Sequence, residues 1–293
     1  MRGVKKDVAV PPAPPAYWSL PGELVALPVP GRKALRDGFH RPYPGAGALG
    51  VFVHGMGSNF YRSPLKKAFL ALAREHGMGF LSFDNAGAGR GTEDERFRDC
   101  LADLDAVRAF ARAAGYAKLV LVGHSTGCQK IAFWQSMRRA KEVAGLVLLA
   151  PADDFACQRA AFGRRFAATV ARARKAVAEG RGEETFPCGY ERFSFRRFLS
   201  VADPRREEAG MFRYDGPLTR FRRIATPMFA VFGECEEYAP LPPEEMLSRL
   251  ARATASRDWC DWLVPGAGHS FEGAESEVAR AVLEWAKEAV DAD

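Results

Sequence analysis

What the chain lacks narrows it before any motif does. Six cysteines stand at positions 100, 128, 157, 188, 235 and 260, with no C-x-x-C pair and no Cys/His cluster of zinc-site spacing. Free thiols, a reduced compartment and a cytoplasmic location are therefore the expectation. No apolar run approaches the length of a membrane span, so no membrane partner is expected. Met1-Arg2-Gly3-Val4-Lys5-Lys6-Asp7 is basic but has no apolar h-region behind it, and Pro11-Pro12-Ala13-Pro14-Pro15 would break one. The glycine-rich Asn85-Ala86-Gly87-Ala88-Gly89-Arg90-Gly91 lacks the G-K-[ST] ending and the full G-x-G-x-x-G of a nucleotide cradle. Charge of one sign is not in large excess: 42 Lys and Arg against 36 Asp and Glu give +6. That reads as a solvated surface, not a nucleic-acid interface. Nothing calls for a cofactor or a metal, and the oligomeric state is not legible.

What is there is ordinary globular composition, 47% hydrophobic and 27% charged over 293 residues. That length suits one large α/β domain or a core domain carrying an insertion. Residues 1–20 read as a Pro-rich lead-in. Short edge strands are expected over 23–29 and 33–40, around a Pro30-Gly31 turn. Buried strands are expected over 48–53, 118–122 and 145–151 and further sheet strands over 79–84, 224–233 and 259–264, with helices over 64–75, 97–114, 130–140, 244–253 and 275–290. Strands alternating with helices predict a mostly parallel sheet covered on both faces. Residues 156–223 break that rhythm. They contain a basic helix over 158–178 and a stretch dense in aromatics and arginine, and they read as a mostly helical cap inserted after the sixth strand. The core would then be 21–155 and 224–293. Phe193, Phe195 and Phe198 either line a pocket under the cap or pack the cap on the core. The arginines of the cap read as solvated, with an anionic substrate as the alternative.

The chemistry concentrates in Lys118-Leu119-Val120-Leu121-Val122-Gly123-His124-Ser125-Thr126-Gly127-Cys128-Gln129. An apolar strand enters G-x-S-x-G and a helical pattern leaves it, which puts Ser125 on a sharp strand-to-helix bend. Gly123 and Gly127 allow the two backbones to pass closely. The helix N-terminus aims N–H groups at any oxyanion forming beside Ser125. Upstream, the strand over 48–53 runs into His54-Gly55-Met56-Gly57. Gly55 and Gly57 let that loop turn so that the N–H of Met56 pairs with that of Thr126 as an oxyanion hole. His54 reads as a residue bracing the loop.

An attacking serine needs a base, and the base needs an orienting acid. In this kind of fold they come in the order Ser, acid, His, each from a loop at one sheet edge. His269, in Pro265-Gly266-Ala267-Gly268-His269, alone among the histidines follows the acid loop. That loop offers Glu234, Glu236 and Glu237. Glu236 holds the favoured place, with Glu237 next and Glu234 still pointing along the strand. A carboxylate displaced to Asp153 or Asp154, after the sixth strand, is the other possibility. Glutamate reaches further than aspartate, so Glu236 would require His269 to sit slightly back.

With H-G-M-G, G-H-S-T-G and P-G-A-G-H in order, the chain from about residue 45 onward resembles the α/β-hydrolase superfamily. More narrowly, Gly123-His124-Ser125-Thr126-Gly127-Cys128-Gln129, Ala150-Pro151-Ala152-Asp153-Asp154 and Glu236-Glu237-Tyr238-Ala239-Pro240 resemble a branch that includes fungal siderophore esterases. That branch typically shows G-H-S-T-G-x-Q and D-E-Y-x-P. Glu236 stands at its aspartate position, and H-G replaces the G-G frequent in its oxyanion loop. The resemblance implies an α/β-hydrolase fold and a small-molecule carboxylic ester, or thioester, as substrate. Acyl transfer to another acceptor would use the same residues, and a non-catalytic ligand-binding relative would keep only the pocket. Serine at the elbow, where dehalogenases and epoxide hydrolases carry aspartate, argues against their chemistry.

Overall fold

The computed structural model describes residues 20–88, 95–188 and 191–292; for Glu191 only the backbone is described. The expected Pro-rich lead-in lies outside them except for Leu20. The glycine-rich loop is described only as far as Ala88.

Eight strands form one sheet: β1 (Glu23–Pro28), β2 (Leu35–Arg41), β3 (Ala48–Val53), β4 (Gly79–Phe83), β5 (Lys118–His124), β6 (Val143–Leu149), β9 (Met228–Gly233) and β10 (Trp259–Val264). Their order across the sheet is β1-β2-β4-β3-β5-β6-β9-β10. The β1–β2 and β2–β4 pairs are antiparallel, and every other pair is parallel. Thus β2 lies between β1 and β4 and is not an edge strand, contrary to its sequence reading. Strands β3, β6 and β9 are buried along their whole length, as a sheet covered on both faces requires.

Five helices cover the sheet. They are α1 (Pro64–Leu72), α2 (Cys100–Ala113), α3 (Thr126–Arg138), α7 (Pro243–Ala253) and α8 (Glu275–Asp291). Helix α1 packs on α8, and α2 packs on α3. The chain steps from β3 towards one edge through α1, and from β4 back past β3 to β5 through α2. Right-handed crossovers taken in opposite directions place α1 and α2 on opposite faces. The direction therefore reverses between β3 and β5, and a crevice opens at the carboxyl ends of those two strands. The loops beginning at His54 and Ser125 both leave at that point.

Between β6 and β9 lie α4 (Asp154–Phe162), α5 (Phe166–Ala178), a two-stranded antiparallel hairpin of β7 (Thr185–Cys188) and β8 (Glu191–Ser194), and α6 (Phe195–Ala202). The single helix expected over 158–178 is broken by a 3-10 turn at Gly163–Arg165, where Gly163 has φ +49°. The hairpin was not expected in this segment. Its strands are four residues each, too short for an alternating pattern to register. The segment has its own apolar cluster. Phe186 stacks on Phe195 with centroids 4.9 Å apart and meets Phe198 edge-on at 5.3 Å.

A buried charge cluster ties this segment to the core. Lys130 of α3 lies 2.6 Å from Glu95, and Arg197 of α6 lies 3.3 Å from the other Glu95 oxygen. All three are at most 3% exposed. The two cations hold the Glu95 carboxyl below its ordinary range despite complete burial. Removing the shared acid strands two buried cations in a low dielectric, whereas removing Arg197 leaves the Lys130–Glu95 pair intact. Glu95→Gln is expected to lower the free energy of unfolding by about 3 kcal/mol. Urea denaturation should show Arg197→Met closer to the wild type than Glu95→Gln.

Candidate active site

The bend between β5 and α3 has the geometry its sequence predicts. Ser125 takes φ +55° and ψ −126°, a conformation that costs a non-glycine residue of order 1–3 kcal/mol. The crowding around it is backbone on backbone. A Cβ on Gly127 would lie 2.0 Å from the Val53 carbonyl oxygen, and one on Gly123 would lie 2.6 Å from the Cys128 nitrogen. Gly55 lies against Ser125 itself, since a Cβ there would fall 2.9 Å from the serine Cβ. Gly57 turns the same loop at φ +67°. Thr126 is the first residue of α3, so its N–H has no acceptor within the helix. Met56 follows Gly55 directly. The two N–H groups expected to act together thus belong to backbones that flank Ser125.

His54 and His124 brace these loops as neutral imidazoles. His54 Nδ1–H donates to the Gly55 carbonyl at 2.8 Å, and its Nε2 accepts from the Asn85 N–H at 3.2 Å. Burial, with Lys130 and Lys66 nearby, holds it well below its ordinary pKa. His124 Nε2–H donates to the His269 carbonyl at 2.9 Å, and burial beside His269 pulls its pKa down to about 3.

The loops after β9 and β10 meet at the same sheet edge. His269 Nδ1 lies 2.7 Å from Glu236 Oε1, whose side chain is 2% exposed. The longer glutamate is accommodated by folding back, since the Tyr238 N–H donates to that same Oε1 at 3.1 Å. Glu236 Oε2 is buried with no hydrogen-bond partner among the described residues. Glu237 accepts the His269 backbone N–H at 2.7 Å, and Glu234 accepts the Gly266 N–H at 2.8 Å. The three glutamates therefore divide: one meets the imidazole and two hold its loop. Tyr238 presses edge-on against the ring, with centroids 4.8 Å apart. Sequence reading missed this contact, and the D-E-Y-x-P likeness was its only signal.

Neither aspartate after β6 meets the imidazole. Asp153 caps α4 by accepting the Ala156 N–H at 2.8 Å and also accepts the Tyr214 N–H at 3.0 Å. Asp154 is buried beside Gln129 at the edge of the same cavity. Burial pushes its carboxyl up to about 6, against the pull of Arg197.

Ser125 and His269 open into one cavity of about 610 Å³. No hydrogen bond joins them among the described residues, as is common in sites without substrate. Much of the wall is apolar, with Ala156, Ala160, Phe193 and Pro240, and among the described residues neither Lys nor Arg lines it. Of the three candidate phenylalanines only Phe193 lines the cavity; Phe195 and Phe198 are buried in the apolar cluster of the segment between β6 and β9. The arginines pair with acids instead, as Arg174 does with Asp203 at 2.5 Å and Arg196 with Glu183 at 2.8 Å.

Lys66 of α1 was also missed. It is 1% exposed, and its Nζ donates to Ser58 Oγ at 3.0 Å and to the Asn59 carbonyl, holding the far end of the Met56 loop. It looks like a surface residue in the sequence because it interrupts an apolar helical face. Burial lowers its pKa from 10.5 to about 7. The unfolded chain therefore binds more protons between those two values, and native stability rises with pH across that window. Lys66→Met should abolish this slope. Measured from pH 7 to 10, thermal unfolding should show the wild type gaining on the variant as pH rises.

The comparisons agree with this architecture. The profile of the alpha/beta hydrolase family matches residues 51–281. No curated protein matches the sequence. Est1E from Butyrivibrio proteoclasticus superposes with a TM-score of 0.65 at 17% identity, over 92% of this chain and 99% of its own. The siderophore hydrolase EstB from Aspergillus fumigatus superposes at 0.67 and 18%, over 94% and 98%. A soluble variant of monoglyceride lipase from Saccharomyces cerevisiae does so at 0.68 and 15%, over 95% and 99%. At such identities the likeness is one of fold. Among the described residues no helix is long and apolar enough to cross a membrane. With a matched profile over most of its length, the chain belongs to the alpha/beta hydrolase family.

Proposed function

We propose that this protein is a serine hydrolase that cleaves a small carboxylic ester, or a thioester, through an acyl-enzyme. The observation that carries the reading is the 2.7 Å contact between His269 Nδ1 and Glu236 Oε1, at the cavity onto which the strained Ser125 opens. In this reading Nδ1–H donates to Glu236, which fixes the tautomer and leaves Nε2 free as a base. Ser125 Oγ attacks the carbonyl carbon as its proton passes to Nε2. The N–H groups of Met56 and Thr126 stabilise the oxyanion. The proton then goes to the leaving alcohol, and water repeats the sequence to free the acid. Residues 156–223 act as a cap that closes the cavity with Phe193 and α4.

The wall supports an uncharged acyl group over an anionic substrate, because among the described residues neither Lys nor Arg lines it. Esterases and lipases among the structural neighbours fit the same chemistry. The siderophore hydrolase among them keeps that substrate class open without favouring it. Transfer of the acyl group to an acceptor other than water would use the same residues.

Hydrolysis of p-nitrophenyl esters from acetate to decanoate tests the reading. Turnover is expected in the wild type, rising from acetate to hexanoate, and should vanish in Ser125→Ala together with fluorophosphonate labelling. Glu236→Gln should lower kcat by about a thousandfold or more, as loss of the orienting carboxylate does elsewhere. Glu237→Gln should retain most activity, since it holds only backbone. Equal losses in the two glutamine variants would sink the assignment of the acid.

A further inference from the structure

We propose that Lys66 is a positioning residue for the oxyanion loop, setting the direction of the Met56 N–H through its contacts with Ser58 and Asn59. The proposal rests on the ester-hydrolase reading and adds a residue to that same site. The loop after β3 turns at Gly55-Met56-Gly57-Ser58. The Ser58 N–H closes the turn on the Gly55 carbonyl, and Gly57 has φ +67°, the positive φ of a type II turn at that position. Among the described residues neither Met56 nor Gly57 makes a hydrogen bond, so the Met56 N–H takes its direction from the two ends of the turn. The Gly55 end is held, because its carbonyl also accepts from His54 Nδ1 at 2.8 Å. The Ser58 end is not held by the turn itself: the closing bond is 3.4 Å long, beyond the usual N–H···O range. Lys66 holds that end, its Nζ donating to Ser58 Oγ at 3.0 Å and to the Asn59 carbonyl.

Packing alone does not require a lysine there. Its neighbours on α1, Leu65, Phe69 and Leu70, are buried, and Lys66 itself is 1% exposed. An ammonium in that place loses its hydration, and a methionine would fill the space without that loss. What compensates the ammonium belongs to the loop and the strands beside it: the acceptors on Ser58 and Asn59, the Phe52 ring 5.6 Å from Nζ, and the charge of Asp84. Asp84 in turn accepts the Phe60 N–H at 2.8 Å, and Ser82 Oγ of β4 donates to the Phe60 carbonyl at 2.8 Å. Residues 58–60 are therefore pinned to α1 and to the end of β4, and Met56 is suspended between that anchor and Gly55. Burial brings Lys66 down to about 7, yet even the neutral amine keeps two N–H bonds for its two acceptors. Without Lys66 the anchor begins only at Phe60, and residues 57–59 are free to shift. A misplacement of about an ångström at a reacting centre is worth about a hundredfold in rate.

Hydrolysis of p-nitrophenyl hexanoate, with inhibition by an alkylboronic acid that forms a tetrahedral adduct on Ser125, tests the role. Lys66→Met is expected to lower kcat and kcat/KM together by about 10- to 100-fold at unchanged KM, the pattern of an interaction made only in the transition state. Affinity for the boronic acid should fall by a similar factor, because the adduct resembles that state. Thermal unfolding reports whether the variant is folded. Ser58→Ala, which keeps the Asn59 contact, should show the same pattern at about 3-fold or more. Met56→Pro deletes the N–H itself while suiting the second position of the turn, and should lower kcat by about 100-fold or more. Adding Lys66→Met to it should cause little further loss, whereas two independent effects would multiply. Absence of wild-type turnover on any ester would remove the hydrolase reading and this proposal with it. Wild-type turnover that Lys66→Met and Ser58→Ala leave intact, a loss carried by KM alone, or losses that multiply with Met56→Pro overturn the proposal and leave the hydrolase reading standing. If Lys66→Met does not fold, Ser58→Ala decides by the same division between kcat and KM.

Discussion

Two backbones that leave no room for a side chain between them set the terms for this site. Where the sheet reverses direction, the first turn of α3 runs so close to the end of β3 that a Cβ on Gly127 would collide with the Val53 carbonyl. The loop after β3 is then pressed against Ser125 by Gly55. In that space the chain can turn only with Ser125 at positive φ. The strain is held because the flanking strands are buried along nearly their whole length and cannot relax. Ala150 after β6 and Phe271 after His269 also take positive φ, so three of the five such non-glycine residues described lie at this one edge. Backbone tension is concentrated where the cavity opens.

The same edge sorts charge. Among the described residues the basic side chains of this region lie behind the cavity wall: Lys66 under the Met56 loop, Lys130 and Arg197 around Glu95. Two of the histidines at the site, His54 and His124, are held neutral by burial and serve as hydrogen-bonded braces. That leaves His269 as the imidazole paired with a carboxylate, and Glu236 and Asp154 each with one buried oxygen that finds no donor among the described residues. Both follow from where charge is satisfied by the fold and where it is not.

Much of the sheet was legible because its signals are local. Parallel strands are short, largely apolar runs, and those over 48–53 and 259–264 were placed residue for residue. Amphipathic helices were placed to within a few residues, because one face repeats every turn. Between β6 and β9 the reading was coarser. Gly163 divides the basic helix, and the hairpin of β7 and β8 is shorter than its pattern needs. Aromatic density there pointed equally to a pocket wall and to an internal core; Phe193 belongs to both, Phe195 and Phe198 to the core.

By itself the sequence determined the order of the elements, the bend at Ser125 and the loops that deliver His54, Ser125, Glu236 and His269 to one edge. These depend on apolar period and on glycines at fixed offsets, which are properties of neighbouring residues. Only the tertiary structure decided which of three adjacent glutamates meets the imidazole, that Asp153 caps a helix while Asp154 is buried at the edge of the cavity, and that Lys66 lies buried under a loop. Those outcomes turn on a few ångströms of side-chain reach and on contacts between residues far apart in the chain, such as Glu236 with His269 and Arg197 with Glu95. No local pattern encodes which carboxylate finds a partner and which is left without one.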